Sequence, residues 1–179
     1  FDPNTRPNPL LAGVPADSPL FNRAVQGVYE LGSTFKIFTT IAALEGGISP
    51  FTVINSPPRK EFTGFVGCSG DLLTGPDSGG DKPWSVPNST SSGNYDMFRG
   101  AAYSVNTFFV ELEKRAGVCE TVEAARKLGV RYADGGELGD VRPGGTTAEV
   151  ASFTLGTTEV SPLILANAYA TVSAHGVYC

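Results

Sequence analysis

Apolar positions recur with helical spacing in several stretches of this chain, and glycine and proline break every period between them. The first stretch is Phe35, Ile37, Phe38, Ile41, Ala42 and Leu44, preceded by Gly32-Ser33-Thr34 and followed by Gly46-Gly47. Gly32 permits a tight turn, Ser33 and Thr34 are capping residues, and the glycine pair stops the helix. The apolar residues cover more than one face, which predicts a helix buried on most sides. Met97, Ala101, Ala102, Val105, Phe108, Phe109 and Leu112 recur at three and four, predicting one helix from Tyr95 to Ala116, ended by Gly117. An amphipathic pattern over Cys119–Leu128, with Thr121 as cap and Gly129 as stop, predicts the next. Ser161-Pro162 opens a last helix through Val172, with serine as cap and proline at the first helical position. Thr52-Val53-Ile54 and Glu61–Val66 read as short strands. Phe1–Pro19 reads as a proline-rich extended connector, and Asp71–Pro87 and Gly135–Thr146 read as loops.

Composition narrows the class. The chain has 179 residues, 41% apolar and 17% charged, enough to bury a core as one ordinary domain. Its net charge of -5, with no basic cluster, argues against nucleic acid as a partner. No apolar run reaches the roughly 18 residues of a membrane span, so the chain is expected to be soluble. It starts at Phe1 with no targeting segment, which gives the expectation of a piece of something longer. Cys68, Cys119 and Cys179 are widely spaced and only one histidine accompanies them, which disfavours a zinc site. One disulfide plus a free thiol, and three free thiols, both remain open.

The chemistry gathers at the first helix. A lysine in the first turn of an apolar helix calls for a reason, and Lys36 stands three residues after Ser33, on the same face. Lysine among apolar groups has a lowered pKa and can take a proton from a serine. Ser33 at a helix N-terminus also offers its own N–H to a developing oxyanion. The plain structural alternative is a lysine that snorkels to water. Two Ser-x-Asn triplets follow: Ser104-Val105-Asn106 inside the predicted helix, and Ser92-Gly93-Asn94 in a polar turn. The helical setting favours the first. For an isolated serine there, the alternative is a hydroxyl bonded to a carbonyl one turn back. His175 is the only histidine, so a Ser-His-Asp triad would rest on it alone. Glu111 and Glu113 do not share a helical face, so paired-carboxylate chemistry lacks support.

Gly32-Ser33-Thr34-Phe35-Lys36, preceded by Asn22-Arg23-Ala24 and Gly27-Val28-Tyr29-Glu30, resembles the active-serine segment of penicillin-binding proteins. Leu31 stands where many members have proline. That superfamily carries Ser-x-x-Lys, a Ser-x-Asn-type triplet and Lys-Thr-Gly. No lysine here begins Lys-[Ser/Thr]-Gly. The first fifty residues resemble class B members. The stretch from Asn94 through Thr121, and again Leu155-Gly156 and Glu159–Leu163, are more similar to class A members.

The resemblance implies an α+β fold of the β-lactamase/transpeptidase type, represented mainly by its helical part with most of the antiparallel sheet missing. Residues 1–179 would be a partial transpeptidase domain. It implies a D,D-transpeptidase of peptidoglycan synthesis, with Ser33 as nucleophile, Lys36 as base, Ser104 as proton relay and Asn106 as substrate clamp. No metal or organic cofactor is implied. The implied partners are the peptidoglycan stem peptide and β-lactam antibiotics, and further cell-wall synthesis proteins. The implied location is extracytoplasmic, in a parent anchored to the membrane by an N-terminal segment. Two rival readings share these motifs. One is a serine β-lactamase or β-lactam sensor domain, and the other is a non-catalytic interaction module that keeps the helical core.

Overall fold

The computed structural model describes residues 21–75, 78–132, 135–140 and 147–178. The predicted connector Phe1–Pro19, residues 141–146 of the predicted loop, and Cys179 lie outside the described residues. Strand β1 (Tyr29–Glu30) leads into a 3-10 turn (Gly32–Phe35) that continues as helix α1 (Lys36–Glu45). Strands β2 (Ile54–Ser56), β3 (Arg59–Phe62), β4 (Trp84–Pro87) and β5 (Gly93–Tyr95) follow. Helices α2 (Met97–Ala102), α3 (Asn106–Ala116) and α4 (Val118–Lys127) come next. A second 3-10 turn (Phe153–Leu155), strand β6 (Glu159–Val160) and helix α5 (Pro162–Ser173) complete the order. The strands pair as three antiparallel ribbons, β1 with β6, β2 with β5 and β3 with β4. The architecture is α+β, with helices dominant and the sheet reduced to ribbons, as the sequence predicts.

Several boundaries differ from expectation, each for a local reason. The helix predicted over Tyr95–Ala116 is two helices, because the chain turns at Ser104, which has φ +51. Apolar spacing cannot register such a break, since both halves pack on one core. Strand β4 lies inside the stretch read as loop, where Phe62 pairs with Trp84 and Lys60 with Val86. Thr121 is not a cap. Its buried hydroxyl donates to the carbonyl of Gly117, and Gly117 itself, at φ +103, joins α3 directly to α4. Ser33 and Thr34 do not cap α1 either; they sit within the 3-10 turn, and the Thr34 hydroxyl donates back to the Leu31 carbonyl at 2.6 Å. Helix α1 is buried on one broad side only, with Leu44 exposed. The start of α5 matches its prediction: Ser161 accepts from the Ile164 N–H, and Pro162 opens the helix.

Helix α1 lies between two apolar clusters. Phe35 and Phe38 pack edge-on with each other, and Phe35 packs edge-on with Phe153, in a cluster that includes Val110, Val118, Val122 and Val160. Ala43 joins Ile54, Tyr95, Met97, Phe108, Phe109 and Leu112 in the other. Gly100 lets α2 lie against α3, because a Cβ there would come within 2.6 Å of the Phe108 ring. Burying these side chains from both ends of the sequence is the main term that holds α1 and α3 side by side.

Cys68 and Cys119 form a disulfide between the loop after β3 and the first turn of α4, across a separation of 51 residues. The Glu149 carboxylate accepts from the Cys68 N–H at 2.8 Å at the same place. Closing a loop of that length restricts the unfolded chain and stabilises the fold by about 2–4 kcal/mol. Reduction is therefore expected to lower the urea midpoint of the wild-type chain and to leave a C68S/C119S double variant unmoved. Equal shifts in both would contradict this.

Candidate active site

The serine turn is built from two glycines placed back to back. Gly32 has φ +61, and its N–H donates to the Gly156 carbonyl at 3.3 Å. Gly156 has φ +71, and a Cβ on it would collide with the Gly32 backbone. Only glycine satisfies both demands at Gly156. The seat is closed from a third side by Tyr169 of α5, whose hydroxyl donates to the Thr34 carbonyl at 2.8 Å. Ser33 is exposed on this turn, and its hydroxyl makes no hydrogen bond among the described residues.

One turn on, Lys36 is only 5% exposed, so it does not snorkel to water. Its Nζ donates to the Ser104 carbonyl at 2.8 Å, to Ser104 Oγ at 3.0 Å and to Asn106 Oδ1 at 2.9 Å. Those three acceptors match the three protons of an ammonium. The Nζ also lies 5.3 Å from the centre of the Phe109 ring. Burial nevertheless disfavours the charge and lowers the Lys36 pKa to about 8.

The break at Ser104 explains how one residue offers two acceptors. At the end of α2 the Ser104 N–H bonds the Ala101 carbonyl, and the Val105 N–H bonds the Gly100 carbonyl. This is the paired ending in which a left-handed residue, usually glycine, stops a helix. The left-handed turn leaves both the carbonyl and the hydroxyl of Ser104 on Lys36, so the hydroxyl is not bonded one turn back. Asn106 then begins α3, and its Nδ2 donates to the Pro87 carbonyl at 3.2 Å. Helix α3 has no cap of its own. Asn88, just beyond β4, supplies one, its Oδ1 accepting from the Thr107 N–H at 2.8 Å while its Nδ2 donates to the Pro57 carbonyl.

Ser33, Lys36 and Ser104 line one cleft of about 330 Å³, with Ile37, Phe109 and Tyr169 also on its wall. The structure thus puts Lys36, Ser104 and Asn106 in direct contact and Ser33 on the same cleft. The competing triplet Ser92-Gly93-Asn94 runs into β5, where Asn94 bonds Asn55 across the ribbon. His175 is exposed just beyond α5. Glu111 and Glu113 diverge. Glu111 pairs with Lys60 and Arg115 at the surface, and Glu113 is buried. Sequence reasoning missed Asn88 and Tyr169, whose partners are 19 and 135 residues away and leave no local signature.

A family model described as "Penicillin binding protein transpeptidase domain" matches residues 1–67 and 69–179. The chain belongs to this family. Peptidoglycan D,D-transpeptidase PbpA of Mycolicibacterium smegmatis is 33% identical over 139 residues, which are 78% of this chain and 24% of that protein. Penicillin-binding protein 1A of Neisseria gonorrhoeae is 32% identical over 171 residues, 94% of this chain and 18% of the relative. The chain therefore spans about a fifth to a quarter of these relatives. Among solved structures, penicillin-binding protein 1A from Haemophilus influenzae matches with a TM-score of 0.60 at 26% identity, over 84% of this chain and 19% of the other. Penicillin-binding protein A from M. tuberculosis, solved as its penicillin G acyl-enzyme complex, shares the fold. Its TM-score is 0.65 at 24% identity, over 90% of this chain and 37% of the other.

The Ser104 geometry gives a prediction that separates backbone from side chain. Ser104→Ala and Ser104→Gly both remove the hydroxyl, but only glycine relieves the left-handed strain. The glycine variant is expected to be about 1 kcal/mol more stable than the alanine variant by urea denaturation. Equal midpoints would count against strain at this residue.

Proposed function

We propose that this chain carries the acylating half of a D,D-transpeptidase of peptidoglycan synthesis, with Ser33 as the nucleophile. The observation that carries this reading is the buried Lys36, held at one end of the same cleft as Ser33 and bonded to Ser104 and Asn106. Membership of the transpeptidase family supports it.

In the proposed reaction, neutral Lys36 takes the proton of Ser33 as Oγ attacks the carbonyl of a D-Ala-D-Ala stem peptide. A new C–O bond forms and the carbonyl oxygen becomes the oxyanion. The Ser33 N–H lies in the first turn of its 3-10 helix, where such groups lack partners within the helix, and in this reading it donates to that oxygen. As the tetrahedral intermediate collapses, the C–N bond breaks. The proton held by Lys36 passes through Ser104 Oγ to the departing amine of the terminal D-Ala, leaving an ester on Ser33. An acceptor amine from a second stem peptide then attacks the ester and restores the Ser33 hydroxyl. Asn106, fixed by Lys36 and Pro87, clamps the amide carbonyl of the substrate. A β-lactam follows the same first steps, but its amine stays attached after ring opening. None of these steps draws on a metal or an organic cofactor.

The Cys68–Cys119 disulfide supports an extracytoplasmic setting, since such bonds persist in oxidising compartments. The seat of the substrate, with its stem peptides, belongs to the same side of the membrane. Other cell-wall synthesis proteins and a membrane anchor in a longer parent are part of this proposal.

Fluorescent penicillin tests the assignment. The full natural chain is expected to form a long-lived adduct on Ser33, located by mass mapping and abolished by Ser33→Ala. An adduct elsewhere, or rapid turnover of the antibiotic, would overturn the reading. A polypeptide limited to these 179 residues has no Lys-[Ser/Thr]-Gly triplet to supply a second oxyanion donor. Its labelling is expected to be about 10²–10³ slower. The pKa of Lys36 sets the pH dependence. Its neutral fraction grows as pH rises through about 8, so the acylation rate constant should increase roughly 20-fold from pH 6.5 to 8.5 and then level. A flat profile would remove Lys36 as the base.

A further inference from the structure

Glu113 is the one fully buried carboxyl among the described residues with an oxygen that finds no partner. It lies on the core side of α3 beside Leu112, where an apolar side chain would avoid the cost of burying an acid. Its Oε1 accepts from the Thr154 N–H at 3.1 Å, the central residue of the Phe153–Leu155 turn. That turn has a second tie, since the Thr39 hydroxyl of α1 donates to the Thr154 hydroxyl at 2.6 Å. Thr39 is one turn beyond Lys36 on the same helix. The turn is thus bonded to both helices that build the cleft, and the next residue is Gly156, on which Gly32 rests.

We propose that Glu113 is a positioning residue for acyl transfer: its carboxyl fixes the Phe153–Leu155 turn, which through Gly156 sets the place of the Ser33 turn. This rests on the reading of Ser33 as nucleophile. A buried N–H at Thr154 needs an acceptor, and no backbone carbonyl supplies one there. An apolar residue at Glu113 would leave that N–H unpaired and free the turn to shift. Burial pushes the Glu113 carboxyl well above the usual range, although the Thr154 bond acts the other way, so the acid is biased towards its neutral form. A neutral acid accepts through Oε1 as well as a glutamine does, which makes Glu113→Gln the conservative replacement. Glu113→Met keeps the volume and apolar contacts and removes the acceptor. Misplacing a nucleophile by a fraction of an ångström slows the chemical step more than it weakens binding.

The test measures the acylation rate constant and the non-covalent dissociation constant for a fluorescent penicillin separately, in the full natural chain. Glu113→Met is expected to lower the rate constant about 10- to 100-fold with the dissociation constant unchanged. Glu113→Gln is expected to remain within about threefold of wild type. A normal rate in Glu113→Met, a glutamine variant as slow as the methionine variant, or a loss confined to binding would overturn the proposal. Should Glu113→Met not fold, Thr39→Val cuts the second tie and is expected to slow acylation with the same unchanged binding; a normal rate there would likewise overturn it. Ser33→Ala runs in parallel. If labelling survives in that variant, the reading of the nucleophile fails. If it disappears while Glu113→Met acylates normally, only the role of Glu113 fails.

Discussion

A buried lysine with three acceptors is the constraint around which this protein is arranged. Taking an ammonium out of water is costly, and an apolar helix such as α1 offers nothing to offset it. The compensation comes from outside the helix, from the carbonyl and hydroxyl of Ser104 and the amide oxygen of Asn106. Each of these exists at its place because of a local departure from regular structure. The turn at Ser104 interrupts what would otherwise be one long helix, and Asn106 can reach Lys36 because α3 restarts there. The same burial that makes the ammonium dependent on its neighbours also brings its proton within reach of loss near neutrality. The break in the helix, the left-handed conformation of Ser104 and the lowered pKa of Lys36 therefore belong to one arrangement.

The seat of the Ser33 turn is arranged by close approach rather than charge. Two glycine backbones touch, and three hydrogen bonds from distant residues hold the contact: Glu113 to Thr154, Thr39 to Thr154, and Tyr169 to Thr34. The serine turn has no capping side chain of its own and relies on that seat. Phe35 packs on Phe153 directly beneath it, so the polar ties fix a contact that the hydrophobic core already favours.

Much of this was legible in the chain, and the pattern of success has a physical cause. Helices α1, α4 and α5 announce themselves because their signals are local: apolar residues at helical spacing and a glycine stop, with the Ser161-Pro162 start at α5. The Ser33-x-x-Lys36 spacing was readable for the same reason, and the structure lines one cleft with both residues, Ser33 from the 3-10 turn and Lys36 from the start of α1. Non-local features were not readable. Strand β4 is too short and too rich in loop residues to stand out, and exists because Phe62 and Lys60 pair with it. The break at Ser104 was hidden because α2 and α3 bury the same kind of residue on either side of it. Asn88 caps a helix it does not belong to, which no capping motif describes. The buried carboxyl of Glu113 followed from helical geometry only as a negative, that it does not share a face with Glu111.

The long reach of these bonds has a kinetic meaning. Lys36 meets its acceptors 68 and 70 residues away, and Tyr169 meets Thr34 across 135. Each such closure costs chain entropy before it returns any favourable energy. Helices α1 and α3 can flicker into being early, because their own bonds are local. The lysine cannot be desolvated until both halves of the chain have docked, so the cleft belongs to the last events on the folding route. A nascent chain would expose α1 with its lysine still hydrated, and would mature into a competent site only with the cooperative closing of the whole domain.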